Sequence, residues 1–264
     1  PYRRGQMPLP FPSRISRDDS MVTIPAGLAT LGQPRVDDAA FGGRFGWDNE
    51  FDSHTVDVPS FAIHRYKVTN ARYLPFVEAG ARPPHFWRRR GRAWYWRTLT
   101  GDIPLPLEWP VYVTQQEATA YARWAGRTLP TEAQFHRAAY GTPTGDERSY
   151  PWGDDPPTPS HGNFNGRRRD PVGVAFTPLG DSAFGVAQLV GNGWEWTSTT
   201  FAPFPGFRAH PSYPGYSAPF FDGDHFVLKG GSPVTAARFL RRSFRNWFRS
   251  NYPYVYATFR CVEP

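Results

Sequence analysis

The chain has 264 residues, which is long enough for one large domain with a substantial core. Its 29 prolines and 25 glycines exclude long helices from most of the sequence, and aromatic residues make up 17% of it. The single cysteine, Cys261, excludes an internal disulfide and a metal site built from two cysteines. No apolar run approaches the ~20 residues that a membrane span requires, so the sequence predicts a cytoplasmic protein with no membrane partner.

The first 20 residues combine four prolines with several arginines. Such a composition favours extended and semi-rigid connecting chain. We therefore expect residues 1–20 to form a linker and residues 21–264 to form one folded domain.

In residues 21–27 a short strand that is ended by a proline–glycine turn is predicted, and residues 55–63 are predicted to form another strand. A helix is predicted from Thr69 through Val77, although Pro75 inside it favours a short or distorted element.

Two further helices carry clear N-terminal signals. Thr114 followed by Glu117, and Thr131 followed by Gln134, are capping-box patterns, and a glycine follows each helical segment. In the first helix, the apolar positions, which include Trp124, are predicted to share one face.

From residue 150 onward the sequence contains turn residues and short strand-like runs, and no run is helical. No repeat of fixed period is present, which disfavours solenoids and propellers. The pattern predicts an α+β fold with short twisted strands, a few helices and much irregular structure.

Neither a metal site nor a nucleophile is evident from spacing. No two histidines have the helical spacing of a metal site, and no serine lies in a nucleophile elbow. The loop Asp222–Asp224, beside His225, could bind calcium through its oxygens, but a simple turn explains the same residues. The sequence therefore assigns no metal ligand.

Two polar-aromatic clusters are the best candidates for binding chemistry. In residues 213–216, proline and glycine favour a turn that presents Tyr213 and Tyr216 from a loop. In residues 246–248, Asn246 can donate or accept hydrogen bonds beside Trp247, and aromatic faces attract quaternary ammonium groups. The alternative is that these rings belong to the core.

The formal charge of +7 and the arginine runs at 88–90 and 167–169 raise the possibility of nucleic-acid binding. Almost all of the basic residues are arginines, which suit fixed pairing inside a structure or at a domain contact. We therefore expect no nucleic-acid partner.

Three segments carry a family resemblance: Phe-Gly-Trp-Asp-Asn-Glu at 45–50, Gly-Arg-Thr-Leu-Pro-Thr-Glu at 126–132, and residues 189–197 around Gly-Asn-Gly-Trp-Glu-Trp. Their order resembles formylglycine-generating enzymes and, together with residues 243–248, the C-terminal half of EgtB-type sulfoxide synthases of ergothioneine biosynthesis. The resemblance implies a formylglycine-generating-enzyme-like, C-type-lectin-like fold. It implies that Asn192, Trp194, Glu195 and Trp196 are buried scaffold residues.

The resemblance also implies a reaction. These iron(II)- and O2-dependent enzymes join a thiol, cysteine or γ-glutamylcysteine, to hercynine. Three histidines of an N-terminal DinB-like helical domain hold the iron, and their H-x3-H-x-E pattern is absent from this chain. The resemblance therefore implies that such a domain is a partner of this one.

The same resemblance assigns roles to residues. Tyr213 corresponds to the acid catalyst, and Tyr216, Asn246 and Trp247 correspond to residues that hold the betaine. Phe248 stands where enzymes that accept γ-glutamylcysteine have an acid, which leaves the thiol open. A selenoneine synthase that uses a selenosugar, and a non-catalytic ligand-binding module, remain alternatives.

Overall fold

The computed structural model describes residues 17–35 and 45–263. The predicted linker therefore lies mostly outside the described residues. The strands are β1 (Met21–Ile24), β2 (Gly27–Leu31), β3 (His54–Val58), β4 (Phe61–His64), β5 (Trp87–Arg90), β6 (Ala93–Thr98), β7 (Gly101–Pro104), β8 (Trp194–Thr200), β9 (His225–Lys229), β10 (Asn246–Arg249), β11 (Ala257–Thr258) and β12 (Val262–Glu263). The helices are α1 (Asn70–Glu78), α2 (Gln115–Trp124) and α3 (Glu132–Tyr140).

The strands form four small sheets, and most of the pairings join distant parts of the chain. The sheet orders are β1-β4-β12, β10-β9-β8-β11, β2-β3 and β5-β6-β7. β12 pairs antiparallel with β4, and β11 lies parallel to β8. The C-terminus therefore completes two sheets whose other strands come earlier in the sequence, and the predicted α+β class is confirmed.

Both capping boxes are confirmed. The Thr114 hydroxyl accepts a hydrogen bond from the Glu117 amide, and the Glu117 carboxylate accepts one from the Thr114 amide at 2.8 Å. Thr131 and Gln134 make the same reciprocal pair at the start of α3. These contacts satisfy backbone donors that no helical carbonyl can reach, which is why the two helix starts were predictable.

The predicted strand from Met21 is confirmed as β1, which ends at Ile24, directly before the predicted proline–glycine turn. Two sequence expectations need correction. The predicted strand at 55–63 is two strands, because Pro59 interrupts the chain between β3 and β4, which belong to different sheets. Trp124 is 51% exposed, because it lies six residues after Ala118 and so about a third of a turn from the buried face. Between residues 141 and 263 no α-helix is present, as predicted.

The largest core cluster is rich in aromatic rings. Trp196 is fully buried, and its indole N–H donates to the Val113 carbonyl at 2.8 Å. Tyr73 stacks on Tyr121 with ring centroids 5.2 Å apart, which joins α1 to α2. Cys261 is fully buried, and burial raises the pKa of its thiol to about 12, so it is an inert packing residue. In the described part of the chain, no helix is both long and apolar enough to cross a bilayer.

A buried ion triad crosses this core. The Glu195 carboxylate accepts hydrogen bonds from the Lys67 ammonium at 2.7 Å and from the Arg260 guanidinium at 2.6 and 2.8 Å. All three side chains are fully buried. Burial raises the pKa of Glu195, but the charges of Arg260 and Lys67 outweigh it and leave the pKa below its ordinary value. The triad therefore joins the segment before α1, strand β8 and the C-terminal segment.

Replacement of the central acid tests the triad. We expect Glu195→Gln to lower the free energy of unfolding by about 3–5 kcal/mol, because two buried cations lose their counter-charge while the side-chain shape is kept. Chemical denaturation monitored by tryptophan fluorescence measures the change. The control is Glu263→Gln, at an acid whose side chain is 48% exposed and pairs with Arg127, where we expect a loss below about 1 kcal/mol. Equal losses would contradict a special role for the triad.

Candidate functional site

The two polar-aromatic clusters predicted from the sequence meet in the structure. The Tyr216 ring stands edge-on to Trp247, with centroids 5.3 Å apart and an interplanar angle of 89°. The Tyr213 ring lies 5.6 Å from Tyr216. The loop that precedes β9 and the edge strand β10 therefore form one surface.

A fourth ring completes this surface, and the sequence did not assign it to the site. Trp47 stacks on Tyr216 with centroids 4.1 Å apart and planes 19° apart. The four rings of Trp47, Tyr213, Tyr216 and Trp247 are called the aromatic cluster below. Tyr213 is 57% exposed and the other three rings are partly buried, so the cluster forms part of the surface. The only sequence signal for Trp47 was its place in the segment 45–50 that carries the family resemblance.

Behind the cluster, two phenylalanines fix the position of Trp247. Phe201 is parallel to the indole at 4.3 Å, and Phe220 lies 5.7 Å away at 47°. Contacts on several sides restrict the rotamer of Trp247, so its ring has a defined direction before any ligand binds.

Tyr216 remains protonated at neutral pH. Burial, together with the nearby carboxylates of Glu50 and Asp48, raises the pKa of its phenol to about 12. At pH 7 the hydroxyl is therefore a hydrogen-bond donor and not a phenolate.

Asn246 and Phe248 lie on the other face of β10. Successive residues of a strand alternate between its two faces, and Trp247 occupies the position between them. The Phe248 ring stacks on Tyr252 at 5.0 Å, and the Asn246 carboxamide oxygen accepts a hydrogen bond from the Trp247 amide at 3.0 Å. The structure thus brings Tyr213, Tyr216 and Trp247 together and leaves the other two predicted residues beside them.

The loop that carries the two tyrosines is anchored through Ser217. The Ser217 hydroxyl is buried, donates to the Asp48 carboxylate and accepts from the Asn49 side-chain amide at 2.9 Å. A second oxygen of Asp48 accepts from the backbone amide of His210 at 3.3 Å. The acid next to Trp47 therefore holds both ends of the loop that contains Tyr213.

A second buried acid joins the same region to β10. The Glu50 carboxylate accepts from Arg241 Nε at 2.8 Å and from the Ser243 hydroxyl at 2.6 Å. Arg245 pairs with the buried Glu132 at 3.0 Å and donates to the Asn49 carbonyl at 3.3 Å. The segments that carry Trp47 and Trp247 are therefore held in a fixed relation by charge-assisted hydrogen bonds.

The described residues contain no group of three or more His, Cys, Asp or Glu side chains placed to hold a metal ion. In the loop predicted as a possible calcium site, Asp222 Oδ1 accepts from the Asp224 amide at 2.9 Å and lies 2.9 Å from His225 Nδ1. The turn interpretation accounts for these contacts.

Two surface cavities lie away from the aromatic cluster. One, of about 280 Å³, is lined by residues between 159 and 177, and the other, of about 360 Å³, lies beside Tyr73 and Phe76. No ring of the cluster lines either cavity. The aromatic cluster lies on an open surface and not in either cavity. It is the candidate site because of the geometry of its rings and the buried hydrogen bonds that hold them.

The scaffold that positions these loops is an α+β fold of small sheets. Two solved structures share this fold. Variable protein 1 of Treponema denticola has a TM-score of 0.65 and 18% identity, over 92% of this chain and 94% of that one. PvdO from Pseudomonas aeruginosa has a TM-score of 0.61 and 22% identity, over 92% of this chain and 93% of that one. At these identities the likeness shows the fold alone. The sulfatase-modifying factor enzyme 1-like domain matches residues 6–264, and the chain belongs to that family.

Relatives of known name include hercynine oxygenases and a formylglycine-generating enzyme. Hercynine oxygenase of Mycobacterium tuberculosis is 41% identical over 78% of this chain and 52% of its own length. Hercynine oxygenase of Mycolicibacterium smegmatis is 40% identical over 90% of this chain and 60% of its own length. Formylglycine-generating enzyme of M. tuberculosis is 31% identical over 92% of this chain and 97% of its own length. The chain thus spans 52% and 60% of the lengths of these two hercynine oxygenases.

Ser217 provides a test of the anchor. We expect Ser217→Ala to lower the free energy of unfolding by about 1–3 kcal/mol, because it leaves buried polar atoms of Asp48 and Asn49 without their partner. Hydrogen exchange of the backbone amides at 213–217 should accelerate as well. Ser212→Ala, at an exposed serine of the same loop, is the control and should change stability by less than about 0.5 kcal/mol. Unchanged exchange at 213–217 in Ser217→Ala would show that the loop is held by other contacts.

Proposed function

We propose that this chain is the substrate-binding half of a hercynine oxygenase of ergothioneine biosynthesis. The names of the relatives that are 40% and 41% identical support this choice over formylglycine generation, where the relative is 31% identical. The observation that carries the proposal is the contact of Tyr216 with both Trp47 and Trp247, beside the exposed Tyr213.

The aromatic cluster suits the trimethylammonium group of hercynine. A quaternary ammonium has no N–H to donate, so it is recognised by ring faces and not by hydrogen bonds. Trp47 and Trp247 are indoles, which attract cations most strongly among the aromatic side chains. Fixed rings bind at a lower entropic cost than mobile ones, and Phe201 and Phe220 fix Trp247.

The two phenols are placed to act on protons. Tyr216, with its pKa raised to about 12, would donate a hydrogen bond that orients the substrate. Tyr213, exposed in this chain, would donate its proton during the oxygen-dependent step, as general acid. Had both phenols been packed inside the core, neither role could be proposed.

The proposed chemistry also needs iron(II), for which the described residues of this chain offer no ligand group. We assign the ligands to a separate DinB-like helical domain, and the bound iron would supply the redox chemistry with O2. This chain would supply the surface next to the iron, where hercynine is bound and oriented. The imidazole C2 of hercynine would there be joined to the thiol sulfur, and the product is a sulfoxide.

The sulfur or selenium donor is set by residues near the other face of β10. Phe248 stacks on Tyr252 and presents no charge to a substrate amine. Because the resemblance places an acid at this position in enzymes that accept γ-glutamylcysteine, the donor that we propose is free cysteine, or a selenosugar that makes the product selenoneine. Turnover of the two-domain enzyme with each of these donors distinguishes them.

Binding by the aromatic cluster can be tested with Trp247→Leu in the two-domain enzyme. We expect the KM for hercynine to rise about 5- to 30-fold, which corresponds to the ~1–2 kcal/mol of a desolvated cation–π contact. The control is Trp124→Leu, an indole that is 51% exposed at the end of α2, which should leave KM unchanged. Steady-state kinetics with variable hercynine measure both. An unchanged KM in Trp247→Leu would place the ammonium group elsewhere.

Proton donation can be tested with Tyr213→Phe. We expect kcat for sulfoxide formation to fall about 10²- to 10⁴-fold, because a positioned acid contributes that much, while stability stays the same at this exposed position. Tyr254→Phe is the matched control, since Tyr254 is 63% exposed and lies outside the cluster. Product analysis by mass spectrometry follows the sulfoxide. Full activity in Tyr213→Phe would remove this residue from the mechanism.

Hercynine binding that does not require iron, with no turnover in the two-domain protein, would instead indicate a non-catalytic binding module.

A further inference from the structure

A cavity of about 280 Å³ is lined by residues of the segment 159–177, which the proposed function does not use. Its volume is at the lower end of the range for small-molecule sites. The residues that line it are Pro159, Ser160, Gly162, Asn163, Phe164, Arg167, Arg168, Phe176 and Thr177. This space is called the basic cavity below.

The charged groups of the basic cavity are all positive. Arg167 and Arg168 line it, and none of its lining residues is acidic. Asp170 and Asp181, the acids nearest in sequence, are not among them. A guanidinium presents a fork of N–H donors that matches the oxygens of a phosphate or carboxylate.

An independent observation comes from Thr177. The residue is only 3% exposed, it lines the cavity, and its hydroxyl has no hydrogen-bond partner among the described residues. Buried polar groups in native proteins almost always have a partner, so an isolated hydroxyl at a cavity wall indicates a ligand or an ordered water there. Ser160 also lines the cavity, which therefore offers both hydroxyl and guanidinium hydrogen-bond donors.

The cavity also has an apolar side. Phe164 is 5% exposed, and Phe176 is 50% exposed and carries the Arg168 guanidinium over its ring at 5.1 Å. The cation–π contact restrains Arg168 at the cavity. A ligand with an anionic group and a small apolar body would satisfy both sides.

The cavity floor is fixed before any ligand binds. The Asn163 side-chain amide donates to Asn192 Oδ1 at 3.2 Å, and the Asn192 amide donates to the Val172 carbonyl at 2.9 Å. Both residues are buried. Ligand binding therefore needs ordering chiefly of Arg167, and not of the backbone beneath the two arginines.

The second arginine run of the chain provides a contrast. Arg88, Arg89 and Arg90 lie on the exposed strand β5, where Arg90 pairs with Asp102 at 2.6 Å and Arg89 lies over Trp94. They line neither of the two cavities. Two arginine runs of equal length thus differ in geometry, and only one of them lines a cavity that contains an unpartnered hydroxyl.

We propose that the basic cavity binds a small molecule that carries a phosphate group. Arg167 and Arg168 pair with the phosphate oxygens, Thr177 donates its hydroxyl to one of them, and the phenylalanines contact the organic part. None of these residues belongs to the aromatic cluster, so this site is separate from the proposed hercynine site.

The test uses the 264-residue chain and isothermal titration calorimetry at constant ionic strength. The probes are inorganic phosphate, phenyl phosphate and benzoate. We expect phenyl phosphate to bind more tightly than inorganic phosphate, because only it reaches the phenylalanines, and we expect benzoate to bind at least 10-fold more weakly. Tighter binding of benzoate would overturn the phosphate assignment, and absence of binding by all three probes would overturn the site.

Variants locate the binding. The double variant Arg167→Gln/Arg168→Gln should weaken phenyl phosphate binding at least 10-fold, and Thr177→Val should weaken it about 5-fold. Thr177→Val removes a hydroxyl with no protein partner and keeps the side-chain shape, so its melting temperature should not fall. The matched control, Arg88→Gln/Arg90→Gln, loses the same charge and should bind as the unchanged protein does. An equal loss in the control would show that net charge, and not the basic cavity, attracts the probe.

Discussion

The buried Glu195 carboxylate, held between Lys67 and Arg260, is the interaction on which the rest of the fold depends. A buried acid is tolerated only when its charge and lone pairs are satisfied, and here two cations donate to it. Arg260 also donates to three backbone carbonyls, at residues 64, 65 and 187. A chain with small sheets and long loops therefore gains a fixed frame from one set of charged contacts that joins remote segments.

Buried ion pairs also hold the segments that form the aromatic cluster. Glu50 binds Arg241, and Glu132 binds Arg245, so two buried acids fix the segment that leads into β10. Because binding residues on loops need a rigid scaffold, these ion pairs decide where Trp247 points. Stability and the shape of the candidate site thus depend on the same kind of contact.

The fold by itself does not select a function. Structures with TM-scores of 0.65 and 0.61 share it at 18% and 22% identity, and a fold of this kind can carry unrelated sites. What distinguishes this chain is local chemistry: its one cysteine, Cys261, is fully buried, and four aromatic rings lie together at the surface. The candidate function therefore depends on the rings of the aromatic cluster and on the buried hydrogen bonds that hold them.

Local signals in the sequence determined the helix starts and the α+β class, because capping boxes and turn residues act over three or four positions. The burial of Trp196 was predicted from the family resemblance. The break at Pro59 and the sheet β5-β6-β7 were missed, since an arginine-rich run has no strand-like alternation. For the site, the sequence supplied Tyr213, Tyr216 and Trp247 through their polar-aromatic clusters and the family resemblance, but not the contact of Tyr216 with Trp47. Only the tertiary structure decided that contact, because pairing between residues 47, 216 and 247 depends on long-range ion pairs that no local pattern encodes.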